Sequence, residues 1–193
     1  MSKLPRSFYL RGDVVTIARE LIGQRIVSNI GDERTTGIIT ETEAYAGIDD
    51  RASHAYGGRR TARTGTMYLQ GGTAYVYLCY GIHHLFNVVT HEADVPHAVL
   101  IRAMHPESGL EVMKARRGST KLTTNGPGTV SQALGIRTTH SGIDLLDDLL
   151  YIERTGIRIP ENDIRTGPRI GVDYAGPDAA LPYRFHIDPR QLP

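Results

Sequence analysis

Residues 73–80 of this chain read TAYVYLCY, and residues 85–90 read LFNVVT. Aromatic and β-branched residues at this density favour strands, and Gly81 and Ile82 between the two runs are typical of a tight turn. We therefore predict an antiparallel hairpin here. Because side chains alternate along a strand, Tyr75 and Tyr77 should share one face and Tyr80 should lie on the other.

Outward from this hairpin, the sequence predicts more short strands and few helices. Asp13 has the position of a helix N-cap ahead of apolar residues at helical spacing, and Gly23 follows where that helix should stop. Other helices are predicted over residues 106–117 and 128–134. Strands are predicted over residues 25–30, 36–44, 98–103, 149–154, 169–172 and 183–187. This pattern is typical of an antiparallel α+β fold, and the length fits a single domain over residues 1–193.

Residues 46–72 differ from the rest because they hold many Gly, Arg, Thr and Ser residues and little periodicity. They predict a long loop, and long ordered loops in compact domains are often functional. Arg59, Arg60 and Arg63 crowd this loop. Since the guanidinium fork suits phosphate, the cluster is either a solvated surface or a face that follows a phosphate backbone.

Composition excludes several classes of protein. Cys79 is the only cysteine, so neither an intramolecular disulfide nor a zinc site built from several thiolates can form. The eight histidines lack metal-motif spacing and no Gly-rich stretch matches a nucleotide loop, so neither a metal nor another cofactor is expected. No apolar run approaches the roughly 18 residues of a membrane span, and residues 1–6 lack an apolar signal core. We expect a soluble, cytoplasmic monomer with no membrane partner.

Two groups of residues indicate chemistry. Glu41, Glu43 and Tyr45 alternate at the end of a predicted strand, so they share one face beside the loop and could form a general-base site. The alternative is an edge strand decorated with charge. The tyrosines of the hairpin could stack on nucleic-acid bases, with Tyr80 as a wedge at the tip. The alternative for Tyr75 is a half-buried strand residue.

In their order and spacing, these motifs resemble the alkyladenine (3-methyladenine) DNA glycosylase family, in its bacterial form. The resemblance runs from about Phe8 to Phe185. It is carried by residues 41–45, 57–59, 73–77, 125–128, 132–135 and 167–172, together with His54, Tyr80, Asn87 and Arg102. It implies a compact α+β domain with a curved antiparallel sheet, surrounding helices and a protruding hairpin that intercalates into DNA.

The resemblance also implies a role for each matched residue in catalysis. Glu43 is expected to be the general base that activates water, and Arg102 and the backbone carbonyl of Ile170 are expected to help hold that water. Positive charge builds on the sugar as the bond breaks, so an ionised Glu43 would also stabilise it. These roles predict inversion by a single water molecule, with no covalent intermediate.

For the flipped base and the DNA, the roles are as follows. Tyr45 and Tyr77 are expected to sandwich the base and His54 to contact the flipped nucleotide. Asn87 is expected to exclude normal guanine, and Tyr80 to fill the gap left in the stack. Arg59, Arg60 and Arg63 are candidates for contacts to the DNA backbone.

The expected function is excision of alkylated or deaminated purines from damaged double-stranded DNA, in the cytoplasm at the nucleoid. Lys3, Lys114 and Lys121 are the only lysines and lie outside the matched motifs, which predicts a monofunctional enzyme without Schiff-base chemistry. Two other classes remain open, a non-catalytic damage-binding DNA module and a small-molecule nucleoside hydrolase. Turnover would separate the first from a glycosylase, and steep salt dependence of duplex binding would exclude the second.

Overall fold

The computed structural model describes residues 2–192, and it confirms the predicted α+β fold. The helices are α1 (Arg6–Tyr9), α2 (Val14–Glu20), α3 (Leu110–Arg117) and α4 (Pro127–Leu134). The strands are β1 (Arg25–Ser28), β2 (Thr35–Ala46), β3 (Ala74–Cys79), β4 (His83–Thr90), β5 (His97–Ser108), β6 (Leu150–Glu153), β7 (Arg165–Gly167) and β8 (Arg184–His186).

These strands form one antiparallel sheet in the order β3-β4-β5-β2-β1-β6, and β8 pairs with both β2 and β7. The start of β2 pairs with β1, whereas Glu41, Thr42 and Glu43 pair with β8 on the same edge. The register with β5 shifts twice between Ile39 and Thr42. Such bulges bend a strand, so the sheet curls just before Glu43, which stays paired with both β5 and β8.

Helix α2 begins where the sequence predicts, directly after Asp13, and ends at Glu20, three residues before the predicted stop at Gly23. The backbone N–H groups of Val15 and Thr16 donate to Asp13 Oδ1 at 2.9 and 3.2 Å, a cap that typically contributes about 1 kcal/mol. Gly23 follows with φ of 82°, which glycine adopts without steric cost. The buried face of α2, including Ile17, belongs to the main apolar core.

The predicted long loop is also present, with two short 3₁₀ turns at Tyr56–Gly58 and Gly65–Tyr68. Two small apolar clusters pin it to the sheet. The first contains Ala55, Met67, Tyr68, Tyr75, Val89 and Ala98, and the second contains Ala52, Val172 and Ala175. Because Tyr77 packs on the first cluster and Tyr45 on the second, the loop and the segment after residue 167 frame a cavity over the sheet.

One predicted helix begins later than expected, and one predicted strand does not form. The helix predicted over residues 106–117 begins only at Leu110, because β2 continues to offer β5 a pairing partner as far as Ser108, and Gly109 then turns the chain with φ of 73°. The strand predicted over residues 169–172 is absent. There the N–H of Ile170 donates to the carboxylate of Glu43 instead of joining a strand ladder, and the neighbouring strand is β7.

Candidate active site

The candidate site is a cavity of about 490 Å³ beside the β3–β4 hairpin. It brings together eight of the candidate residues to which the sequence gave a role: Tyr45, His54, Arg63, Tyr77, Tyr80, Asn87, Arg102 and Ile170. A larger cavity of about 810 Å³ lies on the other flank of the hairpin and is lined by His83, His84 and His140. The smaller cavity is the candidate active site, because only there, among the described residues, does a buried carboxylate adjoin the lining.

Glu43 is the buried carboxylate, with none of its surface accessible to solvent. The backbone N–H of Ile170 donates to its Oε1 at 2.7 Å, and the hydroxyl of Tyr45 donates to its Oε2 at 2.9 Å. Arg102 Nε lies 3.4 Å from Oε1. Each carboxylate oxygen can accept more than one hydrogen bond, so these contacts do not use all of its acceptor capacity.

The environment of Glu43 shifts its pKa in opposing directions, with a net increase. Burial raises the pKa, while the charge of Arg102, the N–H of Ile170 and the hydroxyl of Tyr45 lower it. A carboxylate whose pKa is raised towards neutrality, but which keeps donors for its ionised form, suits a general base. Burial, followed by the Glu43 charge, raises the pKa of Tyr45 as well, so its hydroxyl stays protonated and can donate.

Glu41 belongs to the same cluster, as its position on the strand predicts. Its Oε1 accepts from Arg102 Nε at 3.1 Å and from Arg184 Nη1 at 3.1 Å. Arg102 therefore forms ion pairs with both Glu41 and Glu43. Arg184 forms a second ion pair with Glu41. The sequence did not assign Arg184, because nothing local links β8 to β2.

The aromatic wall opposite Tyr45 contains Tyr75, Tyr77 and His54. The ring centroids of Tyr75 and Tyr77 lie 5.5 Å apart, and those of His54 and Tyr77 lie 4.5 Å apart. Tyr75 is buried, in line with its alternative interpretation as a packed strand residue, and its hydroxyl lies 2.9 Å from His54 Nδ1. Tyr77 is half-buried and lines the cavity.

His54 is a neutral imidazole at physiological pH. Burial, together with the charges of Arg63 and Arg59, lowers its pKa to about 4. Arg63 Nη2 lies 2.8 Å from His54 Nε2, and because arginine can only donate, Nε2 accepts and the proton is on Nδ1. His54 therefore adds no positive charge to the cavity.

Asn87 is buried in the cavity wall on β4. Its Nδ2 donates to the backbone carbonyls of Tyr75 and Leu85, both at 3.2 Å. Both amide hydrogens are thus engaged, which fixes the side chain in one orientation against the cavity.

Tyr80 occupies the tip of the hairpin at the rim of the cavity, with 91% of its surface exposed. Its φ of 50° lies in the left-handed region, which is uncommon for a residue other than glycine. The neighbouring Ile82 is 71% exposed. The tip therefore presents two large apolar side chains to solvent.

The three candidate arginines of the loop have different surroundings. Arg60 forms an ion pair with Asp94 at 2.7 Å. Arg63 lines the cavity, with its Cζ 5.0 Å from the ring centroid of Tyr77. Arg59 has an exposed side chain and contributes its backbone carbonyl to a hydrogen bond from Tyr68. Only Arg59 thus lies outside both an ion pair and the cavity.

Two residues that the sequence left without a role, Asp50 and Arg169, form a buried ion pair behind Tyr45. Their side chains are 2% and 0% exposed. Arg169 lies next to Ile170 in one of the matched motifs, so its position there was the available signal. Its partner could not be found from the sequence, because 119 residues separate the two.

The described residues contain no group of three or more histidine, cysteine or acidic residues arranged to hold a metal ion. In the same part of the chain, every helix is too short or too polar to cross a membrane.

Comparison with known proteins identifies the family. The family model of methylpurine-DNA glycosylase matches residues 7–191. A protein of Chlamydia felis named "Putative 3-methyladenine DNA glycosylase" is 47% identical over 189 residues, which cover 96% of both chains. Proteins of the same name from Chlamydia pneumoniae and Bacillus cereus are 46% and 44% identical, over at least 95% of each chain. The chain therefore belongs to the methylpurine-DNA glycosylase family and is a DNA glycosylase, as its motifs predicted.

Proposed function

We propose that the protein is a monofunctional glycosylase that flips alkylated or deaminated purines out of duplex DNA and hydrolyses their N-glycosidic bond with water activated by Glu43. The observation that carries this proposal is the fully buried carboxylate of Glu43, held by Tyr45, Arg102 and the Ile170 N–H beside a cavity large enough for a base.

Recognition in this proposal begins with flipping, because the glycosidic bond is out of reach inside a duplex. Flipping costs a few kcal/mol, and the cost is lowest for damaged or mispaired bases. A flipped purine would stack between Tyr45 and Tyr77, which contributes roughly 1–3 kcal/mol for each stacked base. An alkylated purine with a positive charge would gain a further 0.5–2 kcal/mol or so from these rings. Because the imidazole of His54 is neutral, it does not repel a positively charged purine.

The chemical step requires Glu43 to be ionised. Its carboxylate accepts a proton from water as the water attacks the sugar carbon, and its charge stabilises the positive sugar of the transition state. Arg102 favours the ionised form, and the carbonyl of Ile170 is a candidate second acceptor for the water. The purine leaves with the bonding electrons, and one water attacking opposite to it inverts the sugar centre.

Among the described residues, no lysine lines the cavity, which supports a monofunctional enzyme. Lys3 forms an ion pair with Asp148, and Lys114 one with Glu111. Without an amine nucleophile, no Schiff base forms and the DNA strand stays intact. We further propose that the protein works as a monomer on damaged duplex DNA.

Base release tests the proposed function directly. The purified protein would be incubated in EDTA with duplexes that carry hypoxanthine or 1,N6-ethenoadenine, and with methylated DNA. We expect free base, a strand that breaks only after alkali, and no complex trapped by borohydride. If no substrate releases base while salt-sensitive duplex binding persists, the protein is a damage-binding module instead. Strand cleavage without alkali would contradict the monofunctional proposal.

Tyr80→Ala is expected to reduce excision of a paired lesion about tenfold more than excision from a single strand. The reason is that a wedge replaces stacking lost when the base flips, and a single strand needs no such replacement. Single-turnover rates on the two substrates give this ratio, and Leu149→Ala, at an exposed position next to β6, is the control. Equal losses on both substrates would exclude the wedge.

Asn87→Ser is expected to increase release of undamaged guanine about tenfold relative to hypoxanthine, because a smaller side chain leaves room for the 2-amino group. Chromatography of bases released from undamaged duplex measures it. Asn162→Ser, in an exposed turn, should have no effect. Unchanged guanine release would remove Asn87 as the residue that discriminates.

A further inference from the structure

The buried pair of Asp50 and Arg169 has no role in the mechanism described above. Its two side chains are almost entirely removed from solvent, and transferring two charges into an interior costs several kcal/mol per ion before their attraction is counted. A pair of well-packed apolar residues often stabilises a fold equally well. The role of this ion pair should therefore lie in the groups that it holds in place.

Arg169 holds four groups around the general base. Its Nη1 donates to the backbone carbonyl of Ala44 at 2.9 Å and also to Asp50 Oδ2. Its Nη2 donates to Asp50 Oδ1 at 2.8 Å and to the carbonyl of Asp178 at 3.2 Å. Its Cζ lies 4.9 Å from the ring centroid of Tyr45. One planar group thus fixes both the strand and the aromatic ring.

These contacts bracket Glu43 on both sides. Ala44, whose carbonyl accepts a hydrogen bond from Arg169, lies between Glu43 and Tyr45 in the chain. Ile170, whose N–H donates to Glu43 Oε1, directly follows Arg169. The ring of Tyr45, against which Arg169 packs, carries the hydroxyl that donates to Glu43 Oε2. Both donors to the carboxylate are therefore attached to groups that Arg169 positions.

We infer that Arg169 is a positioning residue that sets the Tyr45 hydroxyl and the Ile170 N–H against the two oxygens of Glu43. This inference rests on the proposed function for its catalytic consequence, but the geometry that it assigns to Arg169 can be measured without substrate.

Asp50 makes this arrangement possible. Its two oxygens accept hydrogen bonds from both terminal nitrogens of Arg169. The same oxygens also accept from the backbone N–H groups of Ala46 and Ala52 at 3.0 Å each. It therefore neutralises Arg169 and ties the start of the loop to the same point. Because the pair is neutral, Arg169 adds no net charge behind the ring that would face a cationic purine.

Arg169→Lys tests the inference, because lysine keeps the charge and loses the fork that contacts four acceptors at once. We expect the single-turnover rate to fall about 10- to 100-fold, as small displacements of a reacting group can cause. Duplex affinity should change less than twofold. The acid limb of the pH–rate profile should move to higher pH, since a loosened Ile170 N–H no longer lowers the pKa of Glu43.

A purely structural ion pair would lower stability without these effects. Arg25→Lys provides the matched control, because Arg25 also forms a fork with carboxylates, Glu107 and Glu153, away from the cavity. That variant should lose thermal stability while its rate and acid limb stay at wild-type values.

A second variant covers the possibility that Arg169→Lys does not fold. The double substitution Asp50→Leu and Arg169→Met removes both charges together, which cores commonly tolerate, and it should show the same loss of rate and the same shift of the acid limb. Either variant, folded and with wild-type rate and acid limb, would overturn the inference.

Amide hydrogen exchange at Ile170 separates failure of this inference from failure of the proposed function. In whichever variant folds, exchange at this amide should be at least about tenfold faster than in the wild type, with or without DNA. If the wild type releases no base but exchange accelerates, the proposed function fails and the positioning role stands. If the wild type is active and exchange is unchanged, the positioning role fails.

Discussion

Glu43→Gln is expected to reduce base release by about 100- to 10,000-fold, the range that positioned general bases contribute, while damaged duplex remains bound. Glutamine has nearly the same shape and can keep partners at Tyr45 and Ile170, but it can neither accept the proton from water nor stabilise the positive sugar. Single-turnover excision of hypoxanthine and duplex binding would be measured on the same preparations. Glu153→Gln, which alters another buried carboxylate, should retain wild-type activity.

The pH dependence of wild type and Glu43→Gln gives an independent check. Because activity needs ionised Glu43 and burial raises its pKa, the wild-type rate should fall with decreasing pH at values above those of an ordinary glutamate.

The free energy of unfolding should depend on pH in the opposite direction to the rate. A raised pKa in the folded state favours folding at low pH, and this contribution is lost as the pH rises through that pKa. Glu43→Gln cannot ionise, so relative to the wild type it should gain thermal stability as the pH rises from about 4 to about 8. A relative loss of stability over that range would contradict the assigned direction of the shift.

Arg102→Gln is expected to reduce excision about 100-fold or more at neutral pH, on the scale seen when one preorganised donor is removed from an active site. The variant leaves Glu41 and Glu43 without their shared cation, so the pKa of Glu43 should rise further. Unlike Glu43→Gln, this variant should therefore recover part of its activity at higher pH.

Arg184→Gln is the matched control for Arg102, because Arg184 contacts Glu41 at 3.1 Å and has no ion pair with Glu43 among the described residues. It should lose less than about tenfold in rate, with its acid limb near that of the wild type. An equal loss in the two variants would mean that Glu41, and not the contact with Glu43, accounts for the effect of Arg102.

Much of the fold could be predicted from local patterns. The hairpin of β3 and β4, the Asp13 cap and the long loop each depend on residues that are adjacent in sequence. The errors fall where a distant partner decides the structure. β5 continues through Pro106 because β2 lies beside it, and residues 169–172 leave the sheet because a buried carboxylate takes the N–H of Ile170.

In the candidate site, too, local patterns could be predicted and contacts with distant partners could not. Alternation along β2 was enough to bring Glu41, Glu43 and Tyr45 together, and the hairpin pattern placed Tyr80 at the tip. The position of Arg63 over Tyr77, and not on the outer surface, could not be predicted, because a flexible side chain in a loop has no periodicity. The partners of Arg169 were also hidden, since its acceptors come from three separate segments.

We propose above all that Glu43 activates the water that hydrolyses the glycosidic bond, without help from a metal ion. The most direct test compares wild type and Glu43→Gln under single-turnover conditions in EDTA, on one duplex that carries a single hypoxanthine. We expect release of hypoxanthine by the wild type, an alkali-labile strand, and a loss of at least about 100-fold in the variant with duplex binding retained. Release by Glu43→Gln at a rate near that of the wild type would contradict this proposal.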